Sequence, residues 1–242
     1  MKRAIVFGAT GGIGSEICNE LAEAGWSVYV HYRHQDKLAQ AICSELMDKY
    51  PMQDFIPIKL DFDVDDSELE KFVANLLPVN AVIFSQGITK YGFLGEQKLD
   101  DISNILNINL TVPIKLTKIF EKKLITQEFS RIIYLGSVYG EQGSPLEAVY
   151  SATKAGLSRF CQAYAREVAS TNLTVNVIAP GAVDTKMNVI FSAETLQDLK
   201  SEIPTGRLAT GKDIAFWVKN ILQPESRYFT GQTIYVDGGW LI

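Results

Sequence analysis

Nowhere in these 242 residues does an apolar run approach the ~20 residues that span a bilayer, so no membrane-crossing helix is expected. Cysteine is scarce. Cys18, Cys43 and Cys161 are odd in number, far apart and in no metal-ligand spacing. That excludes a disulfide framework and a zinc site, and leaves three reduced thiols in a cytoplasmic protein. Basic residues are outnumbered, 23 Lys and Arg against 28 Asp and Glu, for a net charge of −5. A nucleic-acid footprint is therefore not expected, and an anionic partner meets net repulsion. Linkers, repeats and low-complexity stretches are missing too, so residues 1–242 are expected to form one domain. Met1-Lys2-Arg3 runs straight into the short apolar stretch Ala4–Phe7, too short for the core of a secretory leader.

What is there is ordinary for a globular protein, 47% hydrophobic and 21% charged. Short β-branched runs alternate with longer amphipathic ones. Strands are predicted at Arg3–Phe7, Ser27–Tyr32, Phe55–Leu60, Ala81–Phe84, Arg131–Leu135, Thr174–Ile178 and Thr233–Val236. Several are apolar throughout, as in strands covered on both faces. Helices are predicted at Gly12–Ala24, Asp36–Lys49, Ser67–Leu76, Asp101–Ile125, Tyr150–Ser170 and Gly211–Leu222. The alternation predicts an α/β fold, a doubly wound and mostly parallel seven-stranded sheet with helices on both faces. Pro180 to Gly211 carries no clear element, and a connection of that length is usually a lid or a binding loop.

Directly after the first strand stands Gly8-Ala9-Thr10-Gly11-Gly12-Ile13-Gly14, opening a helix. Glycines let the chain turn sharply and approach a ligand, and the helix then aims its free N–H groups at a phosphate. No Lys-Ser or Lys-Thr pair follows, so this is not an ATPase-type loop. Farther on, Tyr150 and Lys154 are four apart and share one helical face. A free phenol, with a pKa near ~10, is a poor acid-base group at pH 7. A cation held beside it stabilises the phenolate and moves the phenol towards working range.

The spacing Gly8-x-x-x-Gly12-x-Gly14 resembles that of the short-chain dehydrogenase/reductase family. The similarity runs on through Leu135-Gly136-Ser137-Val138-Tyr139-Gly140 and Tyr150-Ser151-Ala152-Thr153-Lys154-Ala155-Gly156. It continues in Ala165-Arg166-Glu167-Val168-Ala169, Val175-Asn176-Val177-Ile178-Ala179-Pro180-Gly181 and Asp237-Gly238-Gly239. Within the family the sequence most resembles the bacterial 3-oxoacyl-acyl-carrier-protein reductases. The resemblance implies a Rossmann-type fold and carbonyl reduction by Ser137, Tyr150, Lys154 and Asn109. Ser137 would bond the substrate carbonyl, Lys154 the nicotinamide ribose, and Asn109 a water leading protons to Lys154. As asparagine is a poor helix-interior residue, Asn109 also suggests a functional kink.

For the cofactor, the resemblance assigns the phosphates to Gly8, Thr10, Gly11, Gly12, Ile13 and Gly14. Ser85, Gln86 and Gly87 follow the fourth strand beside the cofactor. Pro180, Gly181, Val183 and Thr185 fall near the carboxamide and pyrophosphate. Asp61, with Phe62 beside it, corresponds to an adenine-binding position and could equally be a helix cap. Tyr32 stands where NAD-using relatives often carry Asp, and Arg33 offers a guanidinium suited to a 2′-phosphate. Gly11 gives no such support. NADP(H) is favoured and NAD(H) stays open. No metal site is expected.

Lys186–Ile203, with Met187, Ile190, Phe191 and Leu196, reads as the substrate lid, within about 184–210, or as an amphipathic helix packed on the body. Similarity implies a homotetramer, or a homodimer, using Asp101–Ile125, Tyr150–Ser170 and the last strand. The partners expected are a small-molecule or carrier-bound ketone, no nucleic acid and no membrane. Three departures bear on the ketone. Gln86 replaces a usual alanine, and Glu128 and Thr171 stand where carrier-protein reductases tend to place basic residues, with Lys122 and Lys123 as the nearby compensation. A neighbouring branch reduces a ketone on a modified lysine of elongation factor P. It is similar in Gln86, Gly140-Glu141-Gln142-Gly143 and the ending Gly238-Gly239-Trp240. Two readings therefore stand beside a 3-oxoacyl thioester reductase: a reductase of another ketone, and a non-catalytic nucleotide sensor or scaffold. A sensor needs the glycine loop but no proton donor. A sugar-nucleotide epimerase is disfavoured by length and glycine spacing.

Overall fold

The computed structural model describes residues 2–185 and 192–241. Seven strands form one sheet: β1 (Arg3–Phe7), β2 (Ser27–Tyr32), β3 (Phe55–Lys59), β4 (Ala81–Phe84), β5 (Ser130–Leu135), β6 (Leu173–Pro180) and β7 (Thr233–Val236). Their order is β3-β2-β1-β4-β5-β6-β7 and every pairing is parallel. The Rossmann-type expectation holds, with the sheet wholly rather than mostly parallel among the described residues. Ala4 pairs with Val28 on one side and with Ala81 on the other, so β1 is an inner strand beside which the strand order changes direction.

The helices are α1 (Gly12–Glu23), α2 (Asp36–Lys49), α3 (Asp66–Ala74), α4 (Leu99–Leu106), α5 (Val112–Leu124), α6 (Ala148–Glu167), α7 (Ala193–Glu202) and α8 (Gly211–Ile221). They cover both faces. Alternation along β1 sends Ile5 and Phe7 into one core, with Leu116 and Phe120 of α5 and Leu157 of α6. Ala4 and Val6 go into the other, with Ile17 and Leu21 of α1 and Ile214 and Val218 of α8. β1 is buried along its whole length, which explains its unbroken apolar sequence.

Three expectations need correction. The long helix predicted over Asp101–Ile125 is broken by a π-helical turn at Asn107–Thr111, where the Val112 N–H bonds the Asn107 carbonyl. Pro113 accounts for part of the break, since it lacks the N–H that would close an α-helical bond to the Asn109 carbonyl. The region from Pro180 to Gly211 contains α7, capped by Ser192, whose hydroxyl accepts the Thr195 N–H. β6 also runs on to Pro180, because Gly181 N–H continues the ladder to the Val236 carbonyl (3.0 Å).

Candidate active site

The strand order reverses direction between β1 and β4, and the C-terminal ends of these two strands flank the switch point where parallel sheets bind ligands. The glycine turn leaves β1 here. Gly8 has φ +73°, and a Cβ on it would lie 2.7 Å from the Gln86 backbone nitrogen. A Cβ on Gly14 would lie 2.2 Å from the Gly8 carbonyl oxygen. Only glycine fits at either place. α1 begins at Gly12 with no side-chain cap and no acidic residue in its first turn, so its N-terminal N–H groups stay available. This uncapped, sterically open cradle fits the pyrophosphate of a dinucleotide. Thr185 packs over it, its methyl 3.1 Å from where a Gly12 Cβ would be.

His31 braces the turn, and sequence reasoning missed it. Its Nδ1 accepts the Gly8 N–H (3.1 Å) and its Nε2–H donates to the Leu60 carbonyl (3.1 Å). The ring stacks on Phe62 and lies 5.0 Å from Phe7. Burial holds its pKa down at about 4, so the ring is neutral and Nδ1 stays an acceptor. A single histidine in an apolar strand carries no spacing signal, so nothing in the sequence pointed to it.

Ser137, Tyr150 and Lys154 do converge. Ser137 follows β5 and starts a short 3-10 turn, where its hydroxyl accepts the Tyr139 N–H (3.2 Å). Tyr150 and Lys154 face it from the first turns of α6. The Lys154 Nζ lies 5.4 Å from the centre of the Tyr150 ring and donates to the Leu135 carbonyl at the end of β5 (2.7 Å). Burial pushes the phenol up to about 12, opposed by its hydrogen bond with Ser137 and raised further by Glu147. Burial lowers Lys154 to about 8. At pH 7 the phenol therefore carries its proton and the ammonium is still charged, the state needed to give a proton to a carbonyl oxygen.

Asn109 sits in the π-helical turn, as a kink at that residue required. Its Oδ1 accepts the Ile88 N–H (2.9 Å) and its Nδ2 donates to the Ile88 carbonyl (2.8 Å) and towards Thr153 Oγ1 (3.3 Å). The side chain thus clamps the loop after β4. Gly87, next to that clamp, passes so close that a Cβ would lie 3.4 Å from Lys154 Nζ.

At the far end of the cleft, Arg33 and Asp61 form an ion pair (Nε to Oδ1, 2.9 Å) that helps hold Asp61 below its usual range. Tyr32 is partly exposed and bonds Asp36. The Phe62 ring is buried against His31, so this residue can offer a ligand only its backbone.

A cavity of about 380 Å³ opens between the glycine turn and Tyr150. Ile13, Ser85, Gln86 and Gly87 line one side, and Pro180, Gly181, Val183 and Thr185 another. Val183 is pinned by a parallel bridge to Ala209. The outer wall is aromatic and acidic: Tyr91, Tyr139 and Trp240 with Glu147, Asp198 and Glu202. Trp240 packs edge-on to Tyr139 (5.8 Å), and Asp237 fixes the turn that brings it there by accepting the Gly239 and Leu241 N–H groups. Asp198, Leu199 and Glu202 belong to α7, so a helix within Lys186–Ile203 forms part of the cavity wall. Met187, Ile190 and Phe191 lie outside the described residues. Glu128 and Thr171 come together before β5 and β6, where Asn172 Nδ2 reaches the Gln127 carbonyl (3.4 Å), at the opposite end of the sheet.

Comparison with known proteins bears on this geometry. The short chain dehydrogenase family profile matches residues 2–195. The chain is 34% identical to a 3-oxoacyl-[acyl-carrier-protein] reductase (FabG) of Haemophilus influenzae, covering 98% of this chain and 97% of that protein. It is 29% identical to an uncharacterized oxidoreductase, YmfI, of Bacillus subtilis, covering 99% and 98%. Among solved structures, a short chain dehydrogenase of Burkholderia cenocepacia in complex with NADP superimposes with a TM-score of 0.91 at 28% identity, covering 100% and 98%.

Proposed function

Because this chain belongs to the short-chain dehydrogenase family and is an NAD(P)H-dependent oxidoreductase, we propose that it reduces a ketone to a secondary alcohol with NADPH, the ketone being a 3-oxoacyl thioester. One observation carries the chemistry: Tyr150, bonded to Ser137 and backed by Lys154, lines a cavity bounded by the glycine turn. A bound nicotinamide dinucleotide supplies the hydride. Gly8, Thr10, Gly11, Gly12, Ile13 and Gly14 hold its pyrophosphate, and Ser85, Gly87, Pro180, Gly181, Val183 and Thr185 line its nicotinamide half. Arg33, steadied by Asp61, meets the 2′-phosphate, with Tyr32 and Phe62 beside it. Ser137 orients the carbonyl, Tyr150 delivers the proton to its oxygen, and Lys154 lowers the cost of the phenolate that remains. Asn109 keeps a water path to Lys154 through its backbone carbonyl. Residues 1–242 act as one domain, with the lid at 184–210, in a cytoplasmic homotetramer. The three buried free thiols suit that compartment.

A second reading is favoured by the outer wall. Glu147, Asp198 and Glu202 surround the entrance, and among the described residues none of them forms an ion pair. Carboxylates there attract a cationic ketone, such as the modified-lysine ketone of elongation factor P, and repel an acidic carrier. A substrate panel with NADPH and NADH separates the two: an acetoacetyl thioester, an amine-bearing ketone and ketone-bearing elongation factor P. Faster NADPH oxidation with the thioester supports the first reading, and with the cationic ketones the second. Tyr150→Phe is expected to lower kcat/KM by a factor of roughly 10²–10⁴ with NADPH binding retained. Full activity in that variant removes the mechanism.

A further inference from the structure

Of the three carboxylates on the outer wall, Glu147 belongs to the same helix start as Tyr150, at the N-cap of α6 and three residues before it. That position favours Ser, Thr, Asp or Asn, whose short side chains bond the first free N–H groups. Glu147 does not cap. Its Oε1 instead accepts the Thr89 hydroxyl (2.7 Å), from the loop after β4. Its Oε2 takes no hydrogen bond among the described residues and is not shut off from solvent, and the side chain lines the cavity. The backbone that presents it is strained. Leu146 has φ +66°, the one non-glycine residue in the left-handed region among the described residues. Such a conformation costs free energy and persists where the surroundings enforce it. Here the Leu146 carbonyl accepts the Gly92 N–H (2.9 Å), and the Glu147 N–H bonds the Ser144 carbonyl (3.2 Å). The Glu147 carbonyl in turn accepts the Ser151 N–H (2.9 Å).

A carboxylate beside the proton donor has a cost. When Tyr150 gives its proton to a carbonyl oxygen it becomes a phenolate, and a second negative charge one helical turn away opposes that change. A cation held by the carboxylate removes the opposition. The protein supplies none of its own: Lys154 is the only Lys or Arg lining the cavity among the described residues, and it donates to the Leu135 carbonyl. The neighbouring walls suit a cation brought by a ligand. Tyr91, Tyr139 and Trp240 set aromatic rings around the same space, and ring faces attract an alkylammonium. We infer that Glu147 is a specificity-determining residue that holds the cationic group of the ketone against this aromatic wall, beside Tyr150. The inference rests on the reading of the substrate as a cationic ketone. It assigns to one residue the selectivity that the reading spreads over three.

The test compares two ketones of one shape on the full chain with NADPH: an oxopentyl-trimethylammonium salt and its uncharged isostere, with carbon in place of nitrogen. Wild type is expected to show the higher kcat/KM with the charged ketone. Glu147→Gln keeps the size of the side chain and an acceptor for Thr89 but loses the charge. It should lower the charged-to-uncharged ratio of kcat/KM about tenfold, equivalent to about 1.4 kcal/mol, with a raised KM for the charged ketone. Both ketones are read on the same enzyme, so partial unfolding cancels from the ratio, and Glu147→Ala is expected to lower it likewise. Asp198→Asn, which removes a charge of α7 from the same wall, should lower it much less. An unchanged ratio in Glu147→Gln overturns the inference while the cationic reading stands. An equal fall in Asp198→Asn also overturns it, because a general field and not a contact then selects the charge. If wild type shows no preference for the charged ketone, the cationic reading fails and takes this inference with it.

Discussion

Tyr150, Lys154 and Ser137 were legible as residues because their chemistry demands particular types at particular spacings. His31 was not, because a buried ring that braces a backbone N–H can come from any strand position the fold brings close. Its effect is measurable through protonation. The neutral ring of the folded state has a pKa of about 4 against 6.5 for an ordinary histidine. Between those values the unfolded chain binds a proton that the native chain refuses, so the stability present above pH 6.5 falls as pH drops through 4. The difference corresponds to about 3 kcal/mol. Protonation at Nδ1 also ends its bond to the Gly8 N–H. Denaturant melts between pH 4 and 7 should show this acid loss, and His31→Asn, which keeps an acceptor but does not titrate, should flatten it. An unchanged slope in the variant would assign the acid sensitivity elsewhere.

Among the elements, the strands and α1 were legible from apolar runs and helical spacing, since burial on both faces writes itself into composition. The π-helical turn at Asn107–Thr111 was visible only as an out-of-place asparagine, because periodicity continues across it while the hydrogen-bond register shifts. α7 was legible only as one of two readings of Lys186–Ile203, and its bounds were not, because its exposed face leaves a weak apolar stripe. Two substitutions separate support of the site from support of the scaffold. Asn109→Ala removes both bonds that clamp Ile88 beside Lys154, and should cost roughly 2–3 kcal/mol together with a lower kcat. Thr210→Ala removes the capping box of α8, where Thr210 and Asp213 bond each other's backbone N–H, and should cost about 1 kcal/mol with kcat unchanged. Urea unfolding and steady-state rates at one pH distinguish them. Equal effects on kcat would deny the clamp its role.

At the scale of the molecule, Leu106 on α4, Ile125 after α5, and Tyr235 on β7 are large apolar residues left exposed. These lie on the segments proposed to pair in a homotetramer. Light scattering is expected to give about four times the 26.9 kDa chain mass, and a monomeric mass at micromolar concentration would remove the assembly from the proposal. The sequence alone determined the sheet, the glycine cradle and the pairing of Tyr150 with Lys154 on one helical face. Those depend on residue type at short, fixed separation: period, steric size and one helical turn. Tertiary structure alone decided what depends on distant residues meeting. It brought His31 under Gly8, carried Trp240 and the carboxylates of α7 over the Tyr150 cavity, and moved Glu128 and Thr171 to the opposite end of the sheet. It also left the Gln86 amide buried without a partner, since whether a polar group is satisfied depends on its neighbours in space and not on its neighbours in the chain.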